Sequence, residues 1–163
     1  GAYAEIRTMP AAVIVPLPDN VSDETAAAMM LKGMTAQYLL RQTYPVQSGE
    51  TILVQAAAGG VGLIHCQWAK HLGCTVIGTV GSREKGESAV LAAKGSLYVT
   101  RPTLMTYTAT RELLLKCAGE LLDVVGKGIV KIEINQRFPL EKAADAHRAL
   151  EGRETTGSTL LVP

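Results

Sequence analysis

The stretch TILVQAAAGGVGLIHCQWAKHLGCTVIGTV, residues 51–80, constrains this chain more than any other. Thr51 to Gln55 opens it as a short apolar run, as expected for a strand buried on both faces. Val61, Ile64, Trp68 and Leu72 then recur at helical spacing, and Gly73 ends that helix. Thr75 to Val80 is a second strand of the buried type. Strand, helix and strand within about 30 residues make one parallel crossover unit, so the class is α/β.

QAAAGGVG joins the first strand to the helix. A dinucleotide turn wants glycine at three places: for the tight turn, for approach of backbone N–H groups to a pyrophosphate, and for close helix–strand packing. The helix N-terminus adds oriented donors and a partial positive charge. In the frame Ala57-Ala58-Gly59-Gly60-Val61-Gly62 the second and third places are Gly59 and Gly62, and Ala57 takes the first. A plain packing turn would look similar, but the strand before it and the amphipathic helix after it favour nucleotide binding.

The end of the second strand bears on which nucleotide. An NAD site carries Asp or Glu about 20 residues beyond the glycines, to accept from the ribose 2′-hydroxyl. Here the run is TVGSREK, with Gly81, Ser82 and Arg83 in that neighbourhood and no carboxylate at the strand end. Ser82, Arg83 and Lys85 suit a 2′-phosphate, although Arg83 and Lys85 also read as the solvated first turn of a helix. The expected cofactor is NADP.

Elsewhere the pattern continues α/β. VIVPLP reads as a strand running out into a turn, and Pro10, Pro16 and Pro18 keep residues 1–18 extended. Ser22 offers a helix N-cap, with Asp23 and Glu24 in the first turn. Helical character runs through TAAAMM and, past Gly33, through TAQYLLRQ. A helix ending near Ala93 and a strand SLYV follow. Leu114, Cys117, Leu121 and Val125 mark one face of a helix in 108–125, closed by Gly126 and Gly128. IVKIEI reads as a half-buried strand, 140–151 as a helix and STLLV as a terminal strand. His147, on the stripe Leu140–Ala143–His147–Leu150, reads as a core histidine.

Bulk properties exclude several functions. With 16 Lys and Arg against 15 Asp and Glu the net charge is +1, so no basic field addresses nucleic acid. The apolar stretches fall short of the roughly 20 residues that span a bilayer. No leader pattern opens the chain, and the cytoplasm is the expected compartment. Cys66, Cys74 and Cys117 are odd in number, lack CxxC spacing and read as small buried hydrophobes. No metal-ligand spacing links them to the three histidines, and no metal site is expected.

AAAGGVGLIHCQWAKHLGCTVIGTVGSREK resembles the nucleotide-binding core of the zinc-independent, zeta-crystallin-like quinone oxidoreductases of the medium-chain dehydrogenase/reductase superfamily. AAAMMLKGMTAQYLL, KGSLYVTRPTL and FPLEKAADAHRALEGRETTGSTLLVP agree with it, in the family's order. The resemblance implies a partial Rossmann-type parallel sheet and a remnant of a GroES-like β-barrel catalytic domain. It implies hydride or electron transfer from NADPH to a quinone or other small electron-poor acceptor, without a metal. Carried over, Gly59, Gly60 and Val61 line the pyrophosphate turn, and Ser82 and Lys85 lie by the 2′-phosphate beside Gly81. Thr35 approaches the nicotinamide side and Arg153 reaches the adenosine end. No catalytic residue is assigned. A homodimer is implied through the strand around Ser96–Val99.

Two blocks of the family's pattern have no counterpart. One is most of the N-terminal catalytic domain; the other falls between Ala93 and Lys94, where AVLAA runs directly into KGSLYVTRP. Missing residues are expected there rather than a true deletion. The implied partition is 1–30 as the end of the catalytic domain, 31–130 as a partial NADP-binding Rossmann domain, and 131–163 as a return to the catalytic domain. The alternatives are a catalytically silent NADPH-binding or dimerisation module, and a reductase of an activated alkene such as an enone or enoyl thioester.

Overall fold

A computed structural model describes residues 3–79 and 102–163. Helix α1 (Asp23–Tyr38) starts where its cap predicts: Ser22 Oγ accepts from the Thr25 N–H at 3.3 Å, with Asp23 and Glu24 in the first turn. It widens into a π turn over Leu39–Thr43. Strand β1 (Thr51–Val54), helix α2 (Gly60–His71) and strand β2 (Thr75–Gly78) form the expected crossover unit. The two strands pair in parallel from Thr51 opposite Thr75 to Val54 opposite Gly78, and Gly73, at φ +87°, ends the helix.

A short helix α3 (Leu104–Tyr107) precedes α4 (Arg111–Gly126), which Thr110 caps by accepting from the Leu113 N–H. Strand β3 (Ile134–Pro139), helix α5 (Ala143–Glu151) and strand β4 (Ser158–Val162) make a second parallel unit, in which Phe138 pairs with Leu161.

One core joins α1, α2 and α4. Met29 and Ala36 of α1, Leu40 of its π turn, Ile64, Trp68 and Ala69 of α2, and Leu121 of α4 are all buried in it. Each large side chain there contributes about 1.5–3 kcal/mol through burial. Gly33 is the point of closest approach of α1 to α4, since a Cβ on it would stand 2.4 Å from Leu121 Cδ1. Leu121 is fully buried and cannot swing away. Gly33→Ala is therefore expected to destabilise the chain by about 1–3 kcal/mol despite its better helix propensity, which chemical denaturation would measure.

Four expectations change. Residues 51–55 are not buried on both faces: Ile52 and Val76 pack on the helical core, but the cross-strand pair Leu53 and Ile77 is 38% and 53% exposed. VIVPLP forms no strand; Ala11–Val13 is a 3-10 turn, and Arg111 donates to the Ala12 and Ile14 carbonyls. IVKIEI is not a strand either, because β3 begins only at Ile134. Gln67 takes up the backbone of that segment, accepting from the Lys131 N–H at 2.9 Å and donating to the Lys131 carbonyl at 3.1 Å. Val130 meanwhile is buried against the helices. His147 is exposed, not in the core; α5 buries Ala146 instead, and His147 Nε2 meets the Tyr3 hydroxyl at 2.6 Å. The helix expected to end near Ala93, the strand SLYV and the Ala93–Lys94 junction lie outside the described residues.

Candidate functional site

Parallel sheets place ligand sites beyond the carboxyl ends of their strands, and the 55–62 turn occupies that position here. The ladder runs one step past β1 and β2, with Thr79 N–H donating to the Val54 carbonyl at 2.9 Å and Ala57 N–H to Thr79 at 3.0 Å. The chain then reverses at Ala56, whose φ is +51°, and the Gly59 N–H closes the turn on the Ala56 carbonyl at 2.8 Å. The left-handed residue is thus an alanine. Ala56→Gly is expected to relieve this conformation and stabilise the chain by up to about 1 kcal/mol, measured as a rise in Tm.

Ala57 holds the slot where a dinucleotide turn usually has glycine. Its methyl group is tolerated because the neighbouring strand carries Gly78, where a Cβ would come within 2.7 Å of Ala57 Cβ. Gly62 has no such latitude. A Cβ there would lie 2.4 Å from the Ala56 carbonyl oxygen and 2.7 Å from both Cα and O of Ala57, all of them backbone.

Gly59 is the N-cap of α2 and, having no side chain, leaves the first-turn N–H groups uncapped. No acidic residue occupies that turn to compete with an anion. A cavity of about 440 Å³ adjoins the turn, walled by Gly59, Gly60, Val61 and Gly62 together with Gln55, Leu39 and His65. Uncapped donors, a glycine cradle that a side chain would fill and room beside it fit the diphosphate of a dinucleotide.

The predicted residues divide. Gly59, Gly60 and Val61 come together on the cavity wall. Thr35 does not reach it: its hydroxyl donates to the Leu31 carbonyl at 2.8 Å, and Leu39, one turn later, lines the cavity instead. Arg153 is exposed just past α5, at φ +56°. Gly81, Ser82, Arg83 and Lys85 lie outside the described residues, as does the strand Ser96–Val99.

Two residues beside the turn were not anticipated. His65 follows Val61 by one helical turn, so the 3.6-residue period could have placed it beside the turn. Burial pushes its imidazole below the ordinary value and favours the neutral ring. Lys32, from α1, lays its stem against Gly60 without lining the cavity, and no local pattern announces that contact. Among the described residues no group of three His, Cys, Asp or Glu side chains forms a metal set. The thiols of Cys66, Cys74 and Cys117 are all raised by burial, Cys117 to about 11, which leaves them protonated.

Residues 52–161 match the family described as zinc-binding dehydrogenase. A quinone oxidoreductase of Pseudomonas aeruginosa is 40% identical over a match that takes in all of this chain and 72% of that protein. That match extends over 233 positions, 70 more than the 163 residues here. The crystal structure of Escherichia coli quinone oxidoreductase complexed with NADPH superimposes with a TM-score of 0.89 at 34% identity, covering 99% of this chain and 72% of that one. A 2-haloacrylate reductase of a Burkholderia species is 32% identical over the whole chain and 71% of its own length.

Proposed function

We propose that this chain, which belongs to the quinone oxidoreductases of the zinc-binding dehydrogenase family, binds NADPH at the 55–62 turn and serves to reduce a quinone. The observation that carries this is the likeness over nearly the whole chain to a quinone oxidoreductase complexed with NADPH, at a turn whose N–H donors are uncapped.

When bound, NADPH supplies the hydride; the residues of the chain hold and orient it. Backbone donors of Gly59, Gly60 and Val61 face the diphosphate. Ser82 and Lys85 hold the 2′-phosphate, with Gly81 in the neighbourhood where an NAD site carries its acid. The family resemblance assigns Thr35 to the nicotinamide side and Arg153 to the adenosine end. No side chain is assigned to proton transfer. The partition at residues 30 and 130, a dimer through Ser96–Val99 and a cytoplasmic location belong to the same proposal. No described helix is long and apolar enough to cross a membrane. The P. aeruginosa match is 70 positions longer than this chain, and an intact mass of the protein tests whether residues are missing between Ala93 and Lys94.

Quinone-dependent oxidation of NADPH by the purified chain is the test. Binding without turnover would move the chain to a silent NADPH-binding module. Faster turnover with a 2-haloacrylate or an enone than with any quinone would favour an activated alkene, a reading that the Burkholderia relative supports. Lys85→Met is expected to weaken NADPH binding about tenfold to a hundredfold and leave NADH binding unchanged, because only NADPH carries the 2′-phosphate. Fluorescence titration with the two nucleotides measures the ratio.

A further inference from the structure

Helix α2 is flanked by two cavities. One, of about 460 Å³, lies on the β2 side and is lined by Thr75, Val76 and Gly78 with Cys66, Lys70 and Cys74. The other is the cavity of about 440 Å³ beside the 55–62 turn, where α2 contributes Val61 and His65 and the strand wall is the end of β1, Leu53 to Ala56. A dinucleotide on such a turn directs its adenosine ribose to the end of the second strand. The cavity that holds His65 is on the β1 side, so it faces the other half of the nucleotide.

Two polar side chains stand in that wall, Gln55 and His65. Gln55 is exposed to solvent at the strand end, whereas His65 is half-buried in the second turn of α2. The one histidine ring that bonds within the described residues is His147, with Tyr3, so both ring nitrogens of His65 are available there. Burial favours its uncharged ring, in which one nitrogen donates and the other accepts. A diphosphate offers acceptors only and is met at the turn by backbone N–H groups. A group with one donor and one acceptor suits instead a neutral partner that carries both, as a ribose hydroxyl or a carboxamide does. A mostly apolar cavity with a single half-buried polar group is also the form in which ligand orientation is commonly set.

We propose that His65 binds the nicotinamide riboside half of the nucleotide, by hydrogen bonding to its hydroxyl or carboxamide groups. This rests on the NADPH reading and extends it from the diphosphate turn to the second turn of α2. His65 then tightens NADPH and NADH alike, and contributes nothing to a fragment that ends at the adenosine phosphates.

Equilibrium binding to the full chain tests this, by fluorescence for NADPH and by calorimetry for adenosine 2′,5′-bisphosphate, which lacks the nicotinamide riboside. His65→Leu is expected to weaken NADPH about threefold to tenfold and to leave the bisphosphate within about twofold of the original. His65→Gln keeps a donor and an acceptor and should lose less NADPH affinity than His65→Leu. His65→Ala, favourable in a helix, takes the place of the leucine variant if circular dichroism shows that variant unfolded. Unchanged NADPH affinity in the leucine or alanine variant overturns the proposal and leaves NADPH binding standing. Equal losses for NADPH and the bisphosphate also overturn it, by assigning His65 to the support of the turn. An original chain that binds neither ligand overturns the NADPH reading, and this inference with it.

Discussion

Replacing Gly62 with valine is expected to abolish NADPH binding, with an affinity loss of at least about a hundredfold and a stability loss of about 1–3 kcal/mol. The effect follows from what the new Cβ would meet. The Ala56 carbonyl oxygen at 2.4 Å and the Ala57 Cα and O at 2.7 Å are backbone atoms, so no rotamer change can relieve the contact. Either the turn or the first turn of α2 must move, and both carry the N–H donors proposed for the diphosphate. Gly119→Ala is the matched control. Gly119 is exposed in α4, a Cβ there meets nothing within 4 Å, and the change should stabilise the helix by about 0.5–1 kcal/mol without touching binding. NADPH titration beside urea denaturation separates the two effects. Unchanged affinity in Gly62→Val would remove the 55–62 turn as the diphosphate site.

Trp68→Ala is the largest expected effect on stability. Trp68 is 2% exposed in the core shared by α1, α2 and α4, and truncation of such a side chain costs about 3–5 kcal/mol. For a chain of 163 residues each kcal/mol lowers Tm by roughly 2–4 °C, so a fall of roughly 6–20 °C is expected. Trp68 is the sole tryptophan, so the melt must be followed by circular dichroism rather than intrinsic fluorescence. Trp68 does not line the cavity, and below the new midpoint the folded fraction should bind NADPH with unchanged affinity. A small shift in Tm would mean that α2 is held by the sheet rather than by the helical core.

The two variants probe one helix from opposite ends of its sequence pattern, and that pattern was legible in advance. Val61, Ile64 and Trp68 lie on one face because neighbours three and four apart must, and α2 buries Ile64 and Trp68 as that period requires. The cap at Ser22 and the stop at Gly73 are equally local, since each depends on a few adjacent backbone groups. Spacing alone located the glycine turn, and its nucleotide reading came from the strand before it and the helix after it.

Reading failed where a segment's backbone has a distant partner. IVKIEI alternates like a strand, yet Gln67 of α2 supplies the bonds that a neighbouring strand would have given Lys131. Leu53 and Ile77 looked as buried as Val54, because a continuous apolar run does not say which face of a sheet is covered. His147 shared a stripe with apolar residues, but α5 is turned so that Ala146 faces inward and His147 meets Tyr3.

The amino-acid order by itself determined helices α1, α2 and α4, strands β1, β2 and β4, the Ser22 cap and the glycine turn, because these depend on dihedral preference and hydrogen bonding within a few residues. Tertiary structure alone decided that Ala57 is tolerated, since its methyl group is matched by Gly78 across the ladder, and that Lys32 reaches Gly60. Both outcomes turn on which atoms of remote segments arrive within van der Waals distance. Register and helix packing set those distances, and neither is written in the spacing of residues along the chain.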